Sequence, residues 1–292
     1  MATFSMPGND AEAACLSADG RDLFLFANGL ALRHPLEMVE EGGEVSDDDP
    51  EDAVVDRQLL CSATVDVCHE IDWSVTEIMA AHVDAEGTLY ALLITDGSAA
   101  CVRRFPAADA QDGGWRRADL GTFPAWSLTV TGTDIFVGRY GEAGAMVDVI
   151  DARTGLVNFS LAPRGDGPGC VRDAAATCLL RDDTLLVADT QSRKIERYGA
   201  TGEALGALAL DLECTDMKVD RYGALLVADA SRGVFAAFEA YLTATPVVKW
   251  AMRMEDAGGL AMTDPFKFFL MEGNRAVLVN DKGTDVIIVL MP

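Results

Sequence analysis

Residues 164–198 read RGDGPGCVRDAAATCLLRDDTLLVADTQSRKIERY, and the fold is decided inside this stretch. Asp182-Asp183 make a polar turn, Leu185-Leu186-Val187 a short apolar strand and Thr190-Gln191-Ser192 a second turn. Ile195 and Tyr198 then sit on the strand that follows. Apolar runs of this length, bounded by turn-forming residues, are the sequence form of short antiparallel strands. The pattern recurs along the chain. LLITDGSAACVRRF from Leu92 aligns with LLVADTQSRKIERY from Leu185 without a gap, and LLVADASRGVFAAF from Leu225 needs one residue deleted. Weaker copies begin at Leu23, Ile135 and Phe268.

From Leu92 onward the copies start 43, 50, 40 and 43 residues apart. The first interval, 69 residues, is lengthened by an insertion. Six copies at this period match the ~40–50 residues of a four-stranded propeller blade. The expectation is therefore an all-β chain, a six-bladed β-propeller forming one domain over residues 1–292 with an acidic loop insertion at about 37–56. Half of the residues are apolar, enough for a sizeable core. The first blade is expected to use residues near 12–16, 22–27, 30–36 and 58–65. The last is expected to draw its four strands from GGLAMTD, FKFFLMEG, RAVLVND and DVIIVLMP between residues 258 and 292, with ATFSM at residues 2–6 supplying an outer strand to it.

Charge narrows the partners. Acids number 47 against 23 bases, a formal net charge of -24, and only five of the bases are lysine. Such a surface repels nucleic acid and anionic lipid, whose binding rests on Lys and Arg meeting phosphates. No apolar run approaches the ~20 residues of a membrane span, so no membrane insertion is expected. The N-terminus lacks a basic region followed by an apolar stretch, so no secretory signal is read, and the expected location is the cytoplasm or an assembled particle. The seven cysteines are an odd, scattered set. Cys101 and Cys178 fall on strand positions that face a core, and the set reads as reduced thiols rather than a disulfide framework.

The insertion, EMVEEGGEVSDDDPEDAVVD at residues 37–56, holds ten acids and no base. A block this acidic, interrupted by Gly42, Gly43 and Pro50, does not bury enough apolar surface to order itself. Its residues Glu40, Glu41, Glu44, Asp47, Asp48, Asp49, Glu51 and Asp52 form the candidate docking loop for a protein partner. An EF-hand reading of the loop mostly fails, leaving at most a weak cation site: Asp47, Asp49 and Glu51 alternate suitably, but Asp52 stands where an EF-hand needs glycine and Gln58 where it needs glutamate. Cys61, Cys68, His69, Glu70 and His82 cluster in sequence without the paired short spacings of a zinc site. No metal and no cofactor is expected.

GDGPG followed by DDTLLVADTQSRKIERY resembles the NHL repeat of six-bladed β-propellers, whose pattern runs from a glycine-rich turn through an inner strand and an acidic turn to LYVAD and a basic-aromatic strand. The resemblance covers residues 165–238 and, less closely, 83–107. Gln191, Ser192 and Ser231 stand where the family carries asparagine. In this reading Asp96, Asp189 and Asp229 end second strands and hydrogen-bond the following turn. Gly87, Gly199 and Gly223 supply positive φ at the hairpins.

Function is less legible. Arg164-Gly165-Asp166 matches an adhesion tripeptide over three residues only. Gly165, Gly167 and Gly169 precede a strand, whereas a phosphate loop opens a helix. The sequon at Asn158 falls in a strand. No GxSxG is present, and the only histidines are 34, 69 and 82. The chain therefore reads as a non-enzymatic structural or protein-interaction module, a subunit of a larger assembly such as a virion or viral tail component. The alternative is a cation-dependent hydrolase of the gluconolactonase and regucalcin type, which this chain resembles in blade count. The asparagine turn of those enzymes has no counterpart here, because Asn28-Gly29 follows a strand instead.

Overall fold

The computed structural model describes residues 2–5, 13–16, 22–27, 30–35, 63–65, 76–95, 99–106, 114–141, 144–239, 247–253, 267–271, 275–279 and 285–291. All regular structure among them is strand, paired into six four-stranded antiparallel sheets. The first sheet holds β2 (Ala13–Leu16), β3 (Asp22–Ala27), β4 (Leu30–Pro35) and β5 (Ala63–Val65). The second holds β6 (Thr76–Val83), β7 (Leu89–Thr95), β8 (Ala99–Phe105) and β9 (Arg117–Thr122). In the third are β10 (Ala125–Val130), β11 (Asp134–Arg139), β12 (Ala145–Asp151) and β13 (Val157–Pro163). The fourth comprises β14 (Ala174–Leu179), β15 (Leu185–Asp189), β16 (Lys194–Tyr198) and β17 (Ala204–Ala209). The fifth comprises β18 (Asp216–Val219), β19 (Leu225–Asp229), β20 (Val234–Glu239) and β21 (Val247–Arg253). The last combines β22 (Lys267–Met271), β23 (Arg275–Val279) and β24 (Asp285–Leu290) with β1 (Ala2–Ser5).

Within each sheet the strands follow chain order, and the first strands β2, β6, β10, β14, β18 and β22 touch one another in a circuit that returns from β22 to β2. This is a β-propeller. The last sheet has the outer strand expected from residues 2–6 and differs from expectation in its inner strand. Its inner strand is β22, and its fourth strand is the N-terminal β1, in register Ala2↔Ile288 through Ser5↔Asp285. GGLAMTD lies outside the described residues. The physical reason is closure: β24 would otherwise present an open row of backbone donors and acceptors at an edge, and β1 covers it.

The second strands explain why the sheets stack. In β15 and β19 every residue of LLVAD is buried, because a mid-sheet strand in a stack has apolar neighbours on both faces. Alternation divides the work. Leu186, Ala188 and Ile195 pack toward the fifth sheet against Leu225 and Val227, while Leu185, Val187 and Tyr198 pack toward the third against Phe136, Val147 and Val149. On the fifth sheet Leu226, Ala228 and Phe235 turn the other way, to Phe268, Ala276 and Leu278 of the last. Each buried Leu or Phe contributes about 1.5–3 kcal/mol relative to exposure. Third and fourth sheets approach closely enough that a Cβ on Gly138 would stand 2.4 Å from the Ala174 carbonyl oxygen.

The turn glycines follow the sequence in part. Gly87 and Gly223 adopt φ of 78° and 88°, but in the turn between β16 and β17 the left-handed residue is Gly202 at 85°, not Gly199. Gly199 opens that turn, accepting at its carbonyl from the Gly202 amide and donating to Glu203 O.

Candidate interaction face

The inner strands of a propeller all run the same way, which defines an upper face where they begin and a lower face where they end. On the upper face, each well-preserved sheet is tied together by the aspartate ending its second strand. Asp189 Oδ2 accepts from the Arg172 amide at 3.0 Å and its Oδ1 from the Ser192 amide at 3.2 Å. Asp229 repeats this, with Oδ2 accepting from the Glu213 amide at 3.0 Å and Oδ1 from the Arg232 amide and the Ser231 hydroxyl. Each carboxylate, fully buried, joins the segment entering its sheet to the turn leaving its second strand. Asp96 lies outside the described residues. Around these joints run exposed ion pairs, Arg172 with Asp166, Arg193 with Glu213 and Arg232 with Asp211, which solvent screening makes weak.

The third sheet builds the joint with the opposite charge. Arg139 occupies the position of Asp189. Its Nη2 donates to Leu120 O at 3.3 Å and pairs with buried Asp148, and the guanidinium carbon lies 3.4 Å from the centroid of the Phe123 ring. Asp148 Oδ1 also accepts from the Ser160 hydroxyl at 2.6 Å. The equivalent of Asp148 in the fourth sheet is Glu196, paired with Lys194 at 2.7 Å, while Lys194 Nζ also donates to Cys170 O.

Beside this joint two aromatic side chains stand out in solvent. Trp126 is the extra residue of a bulge in β10, since Ala125 and Ser127 pair with Arg139 and Gly138 and Trp126 pairs with nothing. A bulge re-aims its side chain out of the ladder, and Trp126 is 42% exposed between two buried neighbours. Tyr140, 43% exposed, follows Arg139 and meets the Trp126 ring edge-on at 6.3 Å between centroids. Tyr140 bridges to Asp173, the residue before β14. Asp173 Oδ2 accepts from the Thr190 hydroxyl at 2.7 Å, and its Oδ1 has no hydrogen-bond partner. Burial raises the Asp173 pKa, Thr190 opposes that shift, and the nearby Asp189 adds to it.

Neighbouring inner strands are joined by short polar contacts. Thr129 Oγ1 reaches both the carbonyl and the hydroxyl of Thr177, and Asp216 Oδ2 accepts from the Phe268 amide at 3.1 Å. Lys218 pairs with Asp216 at 3.2 Å and lies 5.5 Å and 5.9 Å from the Phe268 and Phe269 ring centroids. Burial, reinforced by the charge of Lys218 and opposed by Asp84, lowers the His82 pKa to about 4, so this imidazole is neutral at physiological pH. Burial pushes the Cys178 thiol up to about 11 despite Lys218. A thiol this basic supplies little thiolate, so Cys178 is not an activated nucleophile.

Among the residues singled out in the sequence, the docking candidates Glu40, Glu41, Glu44, Asp47, Asp48, Asp49, Glu51 and Asp52 lie outside the described residues, as do Cys61, Cys68, His69 and Glu70. Cys101, Cys178 and Cys214 are buried thiols and Cys170 a partly buried one, none of them in a disulfide. Asp166 of the adhesion-like tripeptide is engaged by Arg172, and the glycines after it lead into β14, a strand. No group of three metal-capable side chains occurs among the described residues. Sequence reading passed over Trp126 and Tyr140. Their signal was an aromatic at the head of an inner strand where the fourth-sheet copy has Ala175, in the same kind of bulge.

No family profile and no curated protein matches the chain. Solved structures do, and they place it among the β-propellers. The chain is similar to PorZ of Porphyromonas gingivalis, described as an essential bacterial surface component of the type-IX secretion system, with a TM-score of 0.53 and 13% identity over 98% of this chain and 34% of PorZ. It thus spans about a third of the PorZ length. It is similar as well to Hsv2 of Kluyvelomyces marxianus, with a TM-score of 0.50 and 12% identity over 94% of this chain and 70% of that one. At such identities the likeness shows the fold alone. No helix among the described residues is long and apolar enough to cross a membrane.

Proposed function

We propose that the protein is a non-enzymatic interaction module, a rigid propeller that presents its faces and its acidic insertion to protein partners within a larger assembly. The observation that carries this reading is the upper face, where Asp189 and Asp229 tie the fourth and fifth sheets, Arg139 ties the third, and Trp126 and Tyr140 stand in solvent beside that third joint on a chain of net charge -24. Solvent-facing aromatics on a rigid support are the composition of protein-binding surfaces. The NHL-like character of residues 165–238 and the single-domain organisation over 1–292 belong to the same proposal. The narrower idea of a virion component has only the acidic composition behind it. The acidic residues 40–52 are taken as a docking element for a basic partner.

The test is recovery of the untagged protein from its native source. A stoichiometric protein partner, lost when Asp47, Asp48, Asp49, Glu51 and Asp52 are replaced by their amides, supports the reading. A stoichiometric calcium or zinc ion, with a large fall in melting temperature on chelation, would overturn it in favour of a cation-dependent hydrolase.

A further inference from the structure

We infer that the upper face at the junction of the third and fourth sheets takes a basic side chain from a protein partner, an arginine or lysine laid against the Trp126–Tyr140 pair beside Asp173. This rests on the interaction-module reading and gives it a surface and a partner chemistry.

Three observations converge on that occupant. The first is placement. The bulge that expels Trp126 from the β10 ladder recurs in β14, where it carries Ala175. The backbone device is therefore shared, and the indole is particular to the third sheet. It stays exposed with Tyr140 packed edge-on beside it, leaving π surface open to solvent. Such faces attract cations, guanidinium more often than ammonium.

The second is an unbalanced carboxylate. Asp173, whose backbone pairs with that of Tyr140 in an isolated β-bridge, has one side-chain oxygen on the Thr190 hydroxyl and the other, buried, without a hydrogen-bond partner. The base next to it in sequence, Arg172, is turned to Asp166. A cation brought over the aromatic pair balances the Asp173 charge through space. An anionic ligand would meet Asp173 and Asp189 together and be repelled, and a purely apolar one would leave the carboxylate as it is.

The third is charge complementarity. Acids exceed bases by two to one over the whole chain, which draws basic segments in and holds a second copy of this chain off.

Fluorescence anisotropy with a labelled nona-arginine peptide tests this, at about 0.15 M salt, where the Debye length is ~8 Å and diffuse attraction is largely screened. With Asp47, Asp48, Asp49, Glu51 and Asp52 replaced by their amides, so that the acidic insertion does not compete for the peptide, the chain is expected to bind it saturably at one to one and to ignore nona-glutamate. Trp126→Leu, which keeps apolar bulk but removes the π face, and Tyr140→Ala should each weaken binding about tenfold. Because both side chains are largely exposed, the melting temperatures of the two variants should stay at that of the chain without them, and either one suffices if the other misfolds. Equal affinity in this chain and its two variants, or no saturable binding by it, overturns the inference. So does loss of binding only when the acids at 47–52 are neutralised. The last result, or recovery of a native partner that still binds Trp126→Leu, leaves the interaction module standing, whereas a resident catalytic cation overturns both.

Discussion

At one ladder position the fourth sheet carries Asp189 and the third carries Arg139, opposite Ala174 and Ala125 of their inner strands. The two sheets otherwise share a register. Val187 faces Glu196 as Val137 faces Asp148, and Leu185 faces Tyr198 as Ile135 faces Ile150. In the fourth sheet the end of the second strand receives two backbone amides on a carboxylate. In the third it sends a guanidinium to a backbone carbonyl and to Asp148. The apolar ladder that stacks the sheets is thus indifferent to how the joint is made. Only the requirement that buried polar groups be matched survives from one copy to the next.

The largest effect should come from what the two sheets share. Leu186 is fully buried between the fourth and fifth sheets, and Leu186→Ala should lower unfolding free energy by about 2–5 kcal/mol through the cavity it leaves. Chemical denaturation measures this, and a near-neutral result would mean that LLVAD is not core. Next comes the joint that differs most. Arg139→Met leaves Asp148 buried without its cation and should cost about 3 kcal/mol, the low end for a broken buried pair because the Arg139 side chain retains 20% exposure. Adding Asp148→Leu should recover most of that loss. If the double variant is no better than the single one, the pair is not the unit that matters.

The comparison also explains what the sequence made legible. The strands of residues 164–198 fell where the turns Asp182-Asp183 and Thr190-Gln191-Ser192 bracket them, because short apolar runs and turn chemistry are local signals. The aspartate joints were legible for the same reason, since Asp189 hydrogen-bonds Ser192 three residues on. What escaped was non-local. The outer position of β1 was expected, but that β22 is the inner strand of the last sheet depends on how the ring closes, which no window of sequence contains. The bulge at Trp126 shows only as a register shift against β11, and Arg139 reads as an ordinary surface base until Asp148, nine residues away, is seen buried beside it. The acidic residues 40–52 were singled out by composition alone.

At the fourth-sheet joint, Asp189→Ala should cost about 2 kcal/mol, since the Arg172 and Ser192 amides lose their acceptor together and an unmet buried group costs about 1–3 kcal/mol. Asp229→Ala should match it, and a difference above about 1 kcal/mol between them would show that the two copies are not equivalent.

The smallest predicted effect has the opposite sign. In the turn between first and second strands, Gly87 of the second sheet and Gly223 of the fifth occupy the left-handed region, and the fourth sheet places Asp183 there at φ 62°. All three residues donate their amide to the carbonyl three residues earlier, so the turns are the same turn. A side chain in that conformation costs roughly 1 kcal/mol. Asp182, one residue before, supplies the stabilising contact by accepting from the Thr184 amide, so Asp183 contributes strain without that bond. Asp183→Gly should therefore raise stability by up to about 1 kcal/mol, less the added entropy of the unfolded chain. Asp183→Asn, which tolerates the left-handed region, should fall between the two. A loss on Asp183→Gly would place the role of this carboxylate on the lower face rather than in the turn.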